Sequence, residues 1–177
     1  DGRAFTVRGA DLPRGRGDGQ PVRLLMDLSN DEELVAVFVL EAGGRRLVAS
    51  SAGRGMIVED DSLVAEKRSG RQVLNLKSGE VARACVSAQG DHVAVLGDNR
   101  RFLVFPLEEL PVMGRGLGVA LQKYTEGGLR QVVVFDGGGG LIWPGNARPR
   151  SLGDLRDWQG KRAATGRQAP AWVLRKA

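Results

Sequence analysis

The stretch GRAFTVRGADLPRGRGDGQPVRLL, Gly2 to Leu25, returns 51 residues later as GRGMIVEDDSLVAEKRSGRQVLNL, Gly53 to Leu76. The two copies align without a gap, and Gly19 of the first falls on Gly70 of the second. Self-similarity at a fixed period indicates an array of repeated structural units. This register therefore decides how the rest of the chain is divided.

A third copy, NRRFLVFPLEELPVMGRGLGVALQ, begins 46 residues after the second, at Asn99, and needs about two inserted residues. A fourth and weaker copy, GNARPRSLGDL, begins at Gly145 and keeps the pair Asp154-Leu155. The copies predict one domain over residues 1–177, built from repeats at about 1–28, 32–77, 80–124 and 129–177.

The residue pattern of each repeat is typical of β-strands. Short runs rich in Val, Leu and Phe alternate with breaks that contain Gly or Asn. The predicted strands are ELVAVFVL, RRLVASS, GMIV, VARACVS, HVAVL, RFLVF and RQVVVF. The segment DGGGG, 136–140, is expected to close a hairpin, and PLEEL and SLGDLRDW to make about one turn of helix each.

About four strands per repeat predict an all-β, propeller-like array of about four four-stranded antiparallel blades. The first blade is expected to be incomplete, because nothing precedes Gly2 that corresponds to the two strands ahead of Gly53. The chain also opens within a strand-like pattern, and we therefore expect it to be a fragment of a longer protein.

Composition narrows the class of partner. The 177 residues carry a formal net charge of +5 and have a pI of about 10, which favours a polyanionic partner. Aromatic residues make up only 5%, which argues against a platform for stacking single-stranded bases. Cys85 is the only cysteine, so the chain has no disulfide framework, as is typical of cytosolic proteins. No apolar run has the length of a membrane span.

One loop recurs in every repeat, between a leucine that all copies share and the last strand. Its versions are PRGRGDGQ (loop 1, 13–20), VAEKRSGRQ (loop 2, 64–72), MGRGLGV (loop 3, 113–119) and WQGKRAATGRQ (loop 4, 158–168). Glycine lets backbone N–H groups approach a ligand closely, and Arg and Lys donate to phosphate oxygens. The predicted DNA contacts are Arg14, Arg16, Lys67, Arg68, Arg71, Arg115, Lys161, Arg162 and Arg167.

In a circular array equivalent loops lie on equivalent edges, so these cations predict a curved band that holds duplex DNA by its phosphates. A single loop of this kind is usually a solvated turn, and the recurrence is what favours binding. The alternative is a propeller that scaffolds protein partners, with arginines that serve solubility or contact acidic protein surfaces. Replacing the loop cations by alanine separates the two hypotheses.

Residues capable of catalysis are few. The only tyrosine, Tyr124, has no adjacent arginine and no acidic triad, and is expected to be structural. The only histidine, His92, is expected at a strand edge, and one His with one Cys cannot form a zinc site. The pairs Asp60-Asp61 and Glu108-Glu109 recur before the repeat leucine, which favours a turn or cap role. The sequence therefore predicts no catalytic residue and no metal site.

All three tryptophans, Trp143, Trp158 and Trp172, lie in the last repeat. They are expected to pack its irregular insert, and a role in stacking on DNA is the weaker alternative.

The repeats resemble blades of the C-terminal domain of bacterial type IIA topoisomerase A subunits. The shared pattern is a strand hairpin, G-x-hydrophobic-x-hydrophobic, an acidic-leucine step and an Arg/Gly-rich loop. HVAVLGDNRRFLVFPLEELPVMGRGLGVALQKYTEGGL and GRGDGQPVRLLMDL are most similar to the topoisomerase IV branch. In the gyrase branch one loop carries the sequence QRRGGKG. No copy here reproduces it, and RGRGDGQ and GRGLGV are degenerate relatives.

The resemblance implies a β-pinwheel that exchanges strands between neighbouring blades, binds and bends duplex DNA, and helps its parent enzyme to select crossed, supercoiled or catenated DNA. It implies a parent that is an ATP-dependent topoisomerase using Mg²⁺, with its catalytic tyrosine outside this chain. The implied partner is the topoisomerase IV B subunit in an A2B2 assembly. The implied location is the bacterial cytoplasm, in association with the nucleoid.

Overall fold

A computed structural model describes residues 1–175; residues 176 and 177, the end of the predicted domain, lie outside it. Ten strands and one short helix follow in chain order: β1 (Arg3–Ala4), β2 (Arg45–Ser50), β3 (Arg54–Glu59), β4 (Arg71–Gln72), β5 (Ala82–Ser87), β6 (His92–Gly97), β7 (Arg101–Pro106), β8 (Val119–Ala120), β9 (Leu129–Phe135), β10 (Arg167–Gln168) and α1 (Ala171–Leu174). Single turns of 3₁₀ helix cover Gly9–Asp11, Val22–Leu24, Asp60–Leu63, Leu107–Glu109 and Arg156–Trp158.

The strands form two antiparallel four-stranded sheets, in the orders β5-β2-β3-β8 and β10-β7-β6-β9, and one pair, β1-β4. In each four-stranded sheet the central hairpin belongs to one repeat, and both flanking strands come from the next repeat. The predicted all-β pinwheel with exchanged strands is confirmed.

The first blade is incomplete, as expected, and two of the predicted blades are complete four-stranded sheets within residues 1–175. Residues 1–175 form two four-stranded sheets and the β1-β4 pair, and the hairpin of the last repeat is reduced to one antiparallel bridge between Leu141 and Arg150.

The two central hairpins turn over three residues, Ser51–Gly53 and 98–100. The N–H of Gly53 donates to the Ser50 carbonyl at 2.9 Å, and the N–H of Arg100 donates to the Gly97 carbonyl at 3.0 Å. Gly53 and Arg100 both have a positive φ, 80° and 62°. Arg100, not Asn99, is therefore the counterpart of Gly53, and the register predicted for the third repeat is wrong by one residue. Arg100 has the left-handed backbone conformation at a position where the matching repeat has glycine, so the sequence alone does not mark this turn position.

Successive side chains along a strand point to opposite faces of the sheet. Because the central strands are apolar at successive positions, each sheet has two apolar faces. Leu47, Ala49 and Ile57 of the first sheet pack against Val93 and Phe105 of the second. The opposite face of the first sheet packs on the first repeat, and the opposite face of the second sheet packs on the last repeat. The core is thus a row of layers between successive blades.

The predicted strand ELVAVFVL, 33–40, does not form. Its counterparts are β5 and β9, which pair with the hairpin strands β2 and β6. Within residues 1–175 no hairpin strand lies beside 33–40, and a strand without a ladder partner leaves its backbone groups unpaired.

The prediction that DGGGG closes a hairpin is also wrong. The segment 136–140 is a turn in which Asp136 accepts the N–H groups of Gly138 and Gly140. The strand before it, β9, pairs with β6, and Leu141 after it pairs with Arg150. The turn therefore connects two blades, because strand exchange places consecutive strands in different sheets.

The short helical turns are confirmed at 107–109 and 156–158. Both acidic pairs lie in the first turn of a 3₁₀ helix without a side-chain cap, which confirms the turn role. Asp60 is buried, lies 3.4 Å from Nε of Arg46, and accepts the N–H of Glu41 at 3.0 Å. Within residues 1–175 no helix is long and apolar enough to cross a membrane.

The three tryptophans surround Phe102, with ring centroids 5.3 Å, 6.3 Å and 6.0 Å away for Trp143, Trp158 and Trp172. Trp143 Nε1 donates to the Val173 carbonyl, and Trp158 Nε1 donates to the Gln168 carbonyl. This arrangement confirms that they pack the irregular last repeat.

Each exchanged outer strand follows a glycine of positive φ that touches the neighbouring sheet. A Cβ on Gly118, which has a φ of 73°, would lie 2.5 Å from the Gly55 carbonyl oxygen. The left-handed conformation costs an alanine about 1–2 kcal/mol, and the overlap adds to that cost. We expect Gly118→Ala to lower the free energy of unfolding by more than about 2 kcal/mol in urea titrations followed by circular dichroism.

Gly114→Ala, in the same loop, is the matched control. A Cβ there meets no atom within 4 Å, and Gly114 is not among the glycines of positive φ. Its expected effect is below about 0.5 kcal/mol. Equal losses in the two variants would contradict the assigned close approach between Gly118 and the neighbouring sheet.

Candidate nucleic-acid interface

The basic loops lie at the outer edge of the array. Loops 2, 3 and 4 lead into the exchanged strands β4, β8 and β10, and β8 and β10 are edge strands of their four-stranded sheets. The opposite edge strands, β5 and β9, contact each other across the two sheets. The exchanged strands and their loops therefore point away from the centre of the array.

Backbone hydrogen bonds connect each loop to the next. The N–H of Asp27, after loop 1, donates to the Arg68 carbonyl of loop 2 at 3.0 Å. The N–H of Asn75 donates to Gly116 of loop 3 at 2.8 Å, and the N–H of Lys123 donates to Ala164 of loop 4 at 3.0 Å. The three acceptors each lie two residues before the glycine that immediately precedes an exchanged strand. The loops thus follow one another along one edge in chain order.

The predicted contact residues differ in how exposed their side chains are and in whether those side chains already have partners within the chain. Eight of the nine cations are exposed, namely Arg14, Arg16, Lys67, Arg68, Arg71, Arg115, Lys161 and Arg167. Within residues 1–175, six of them make no side-chain hydrogen bond or ion pair, namely Arg14, Arg16, Lys67, Arg71, Lys161 and Arg167. Their donors are therefore available to an external acceptor.

The loops concentrate the positive charge of the molecule. The four loops contain nine cations and two carboxylates, a formal charge of +7, whereas the whole chain has +5. The rest of the chain is therefore slightly acidic, and the potential is directed toward the loop edge.

Two of the exposed arginines have partners within the chain. Nε of Arg68 lies 3.5 Å from Oδ1 of Asp27, both side chains being about 61% exposed, and its Nη2 donates to the Leu24 carbonyl. Nε of Arg115 donates to Oδ1 of Asn75 at 3.3 Å. These contacts link neighbouring loops, and the exposed Asp27 pair contributes little stability because solvent screens it.

A partly buried network holds loop 2 against the first repeat. Nη1 of Arg3 donates to the Ser69 carbonyl at 2.7 Å, and its Nη2 donates to Oε1 of Glu32 at 3.0 Å. The N–H of Ser29 donates to Oε2 of Glu32 at 2.8 Å. The Ser29 hydrogen bonds, together with Arg3, lower the pKa of Glu32 to about 2. Glu32 therefore stays ionised at neutral pH and keeps Arg3 oriented toward the loop.

Sequence reasoning missed a second set of arginines beside the loops. Arg3, Arg54 and Arg101 are the first residues of β1, β3 and β7 and pair with Gln72, Ala120 and Gln168 on the exchanged strands. Arg101 is exposed and Arg54 is half-buried. The available signal was an arginine directly after the turn position in each of three repeats.

Tyr124 is half-buried, and its ring lies against Gly53 and Gly97 at the two hairpin turns. Burial raises the pKa of its hydroxyl well above the usual value, and the nearby charge of Asp98 acts in the same direction. A neutral, enclosed phenol of this kind fits the expected structural role and is a poor nucleophile.

His92 is the first residue of β6, as expected, with Nδ1 2.7 Å from Oδ1 of Asp91 and its ring centroid 5.6 Å from that of Phe135. Among residues 1–175, no three His, Cys, Asp or Glu side chains are grouped so that they could hold a metal ion.

Arg162 differs from the other predicted contacts. It is half-buried, its Nε donates to the Glu109 carbonyl at 3.0 Å, and its Nη1 donates to the Ala120 carbonyl at 2.8 Å. Its backbone N–H donates to Oε1 of Glu109. These bonds join loop 4 to two segments of the third repeat, the turn that ends at Glu109 and strand β8, and most of the guanidinium is already occupied.

We expect Arg162→Ala to lower the free energy of unfolding by about 1–3 kcal/mol, because two carbonyls lose a charged donor. Lys161→Ala, one residue away and exposed without a partner among the described residues, is the matched control and is expected to change it by less than about 0.5 kcal/mol. Urea titrations measure both. An Arg162→Ala variant as stable as Lys161→Ala would contradict the bridging role.

Comparison with known proteins places this chain in a family. The family model described as the DNA gyrase C-terminal domain, beta-propeller, matches residues 1–41 and 91–130. The A subunit of DNA topoisomerase 4 from Caulobacter vibrioides is 43% identical over 171 residues, which cover 96% of this chain and 22% of that protein. The Rickettsia conorii protein of the same name is 33% identical over 170 residues, covering 96% of this chain and 23% of that protein. The chain thus spans about a fifth of the length of these curated relatives.

Two solved structures share the fold. The E. coli ParC C-terminal domain superposes with a TM-score of 0.81 at 22% identity, covering 96% of this chain and 74% of that one. A C-terminal domain of DNA topoisomerase IV superposes with a TM-score of 0.68 at 17% identity, covering 85% of this chain and 49% of that one. The repeat pattern, the exchanged strands and these matches lead to one conclusion: the chain belongs to the family of the C-terminal domains of the DNA gyrase and topoisomerase IV A subunits.

Proposed function

We propose that this chain is a non-catalytic domain that binds and bends duplex DNA within a topoisomerase IV A subunit. The observation that carries the proposal is the unbroken series of four basic loops along the outer edge, joined by backbone hydrogen bonds. Side chains that donate without being paired are suited to phosphate oxygens, which repeat along any duplex. Binding is therefore expected to be independent of base sequence.

The shape of the edge supports bending. The loops belong to successive blades, and because propeller-like arrays curve from one repeat to the next, a duplex that contacts several loops would have to bend with the array. The contacts to phosphate offset the cost of bending, which is on the order of 1–6 kcal/mol for 40–90° over 20–30 base pairs. None of the four loops has the QRRGGKG sequence, and bending without a full wrap fits that difference.

In the intact enzyme this domain would help to select crossed, supercoiled or catenated DNA. The parent would be an ATP-dependent, Mg²⁺-using topoisomerase that assembles with its B subunit to form A2B2 in the bacterial cytoplasm, on the nucleoid. The domain would supply binding and curvature, while the catalytic tyrosine and both cofactors would belong to other parts of the enzyme.

Salt dependence tests the proposal directly. If about six phosphates are neutralised, the log–log plot of association constant against salt concentration should have a slope of about −5 between 50 and 200 mM. Lys67→Ala combined with Arg71→Ala should weaken binding and make the slope less negative by about 2, because two phosphate contacts are lost. Fluorescence anisotropy with a labelled duplex measures both quantities, and two duplexes of unrelated sequence should bind equally.

The matched control is Arg83→Ala combined with Arg130→Ala, which removes the same charge from exposed residues of β5 and β9, the opposite sheet edges. It should leave the slope nearly unchanged, and neither double variant should alter the melting temperature. Duplex affinity that does not vary with salt, or that falls equally in both variants, would favour a protein scaffold over a DNA-binding edge.

A further inference from the structure

The array has two faces, one on each side of the loop edge, and the central hairpins turn at one of them. The hairpin turns 51–53 and 98–100 lie on the same side, because the ring of Tyr124 lies against Gly53 in one turn and against Gly97 beside the other. We call this side the hairpin face. Its segments are 51–54, 73–83, 97–101 and 121–131.

The opposite side contains the other ends of the same strands. The segment 88–91 connects the two sheets there, because the N–H of Ala88 donates to the Arg45 carbonyl and the N–H of Leu107 donates to the Asp91 carbonyl. Two of the 3₁₀ turns begin on this side, and we call it the helical-turn face. Its segments are 41–46, 59–61, 88–92, 106–109 and 135–136.

The two faces carry opposite charge. The hairpin face has seven cations and three carboxylates, a formal charge of +4, whereas the helical-turn face has two cations and eight carboxylates, a formal charge of −6 with His92 neutral. Both cations of the helical-turn face are paired. Arg45 lies 3.5 Å from Glu59, and Arg46 lies 3.4 Å from buried Asp60. The exposed carboxylates of this face are Glu41, Glu59, Asp61, Asp91, Glu108 and Asp136.

Four cations of the hairpin face lie beside the basic loops. Arg54 and Arg101 are in register with residues of the exchanged strands β8 and β10, and opposite residues of neighbouring strands lie about 5 Å apart. Arg100 directly precedes Arg101, and the N–H of Lys123 donates to the Ala164 carbonyl of loop 4 at 3.0 Å. We call these four residues, Arg54, Arg100, Arg101 and Lys123, the second row.

The side chains of the second row have no partners in the part of the chain that the structure describes. Three of them are exposed, and Arg54 is half-buried. Arg54 and Arg101 donate from the backbone N–H, to Oγ of Ser50 and Oδ1 of Asn99, and not from the guanidinium. The second row therefore offers donors of the same kind as the loops.

The two faces act differently on a duplex at the loop edge. The Debye length at physiological salt is about 8 Å, so each face acts mainly on the phosphates beside it. Phosphates displaced toward the hairpin face meet the donors of the second row, whereas phosphates displaced toward the other face meet exposed carboxylates. The electrostatic energy is therefore lowest when the duplex lies away from the middle of the edge.

We propose that the duplex lies on the hairpin side of the loop edge, with the phosphates of one strand on the loops and those of the other strand on the second row. Two parallel lines of donors suit a duplex, because its two phosphate strands run on either side of a groove. The carboxylates of the helical-turn face limit the path on the other side. The inference rests on the proposed function, since it specifies how the duplex lies on the same edge.

Salt dependence of duplex binding to the 177-residue chain tests the second row. Arg101→Ala combined with Lys123→Ala should make the slope of the log–log plot less negative by about 2, because two phosphate contacts are lost. The matched control is Arg45→Ala combined with Arg156→Ala. It removes the same charge from exposed residues of the helical-turn face and of the corresponding 3₁₀ turn in the last repeat, and should leave the slope nearly unchanged.

Cross-linking locates the duplex independently of affinity. A photoreactive group is attached to Ala52→Cys in the hairpin turn, or to Ser62→Cys in the 3₁₀ turn at the other end of the same sheet. Burial raises the pKa of the Cys85 thiol to about 11, so the introduced cysteine is labelled selectively at neutral pH. The group on residue 52 should cross-link to the duplex, and the group on residue 62 should give no more product than unlabelled protein.

Equal cross-linking from both positions, or a slope that the Arg101→Ala and Lys123→Ala changes leave unaltered, would overturn the proposal. Either result is compatible with a DNA-binding loop edge as long as Lys67→Ala combined with Arg71→Ala still reduces the slope. If no variant alters the slope and binding does not depend on salt, the proposed function fails as well. An unchanged melting temperature in each variant shows that the array remains folded.

Discussion

Strand exchange is the constraint on which the rest of this structure depends. Each four-stranded sheet takes its hairpin from one repeat and its two flanking strands from the next, so no repeat can complete a sheet by itself. The flanking strands β5 and β9 are six and seven residues long, but the flanking strands β8 and β10 on the outer edge have only two residues each. The glycines ahead of the outer strands allow the backbone approach that makes these short pairings possible.

The same exchange determines where the charges lie. A loop that leads into an exchanged strand has to cross the outer edge of the preceding blade, and its carbonyl two residues before the glycine accepts a hydrogen bond from the segment after the previous loop. The loops are consequently neighbours in space as well as in sequence order. A basic loop that occurs once per repeat thus becomes part of a series along one surface, and backbone hydrogen bonds, not ion pairs between side chains, establish the spacing of the loops.

The repeat, the β class, the basic loops and the roles of the acidic pairs and tryptophans could all be predicted from the sequence, because they depend on local patterns that recur. The unpaired state of 33–40 could not, since ELVAVFVL has every property of a strand and lacks only a partner among residues 1–175. The turn at Arg100 was concealed by a residue that rarely adopts positive φ. The hydrogen bonds that Arg162 donates to the carbonyls of Glu109 and Ala120 could not be predicted either. Those carbonyls lie 53 and 42 residues away along the chain, and no local pattern reveals such contacts.

A structure of the chain bound to a duplex of about 40 base pairs would test the central claim most directly, since that length can follow the edge across several blades. The account predicts one bent duplex on the outer edge, with phosphates in hydrogen-bonding contact with cations of at least three loops in the order in which the loops follow along the chain. A duplex that contacts a single loop, or that lies against β5 and β9 at the opposite edge, would contradict it.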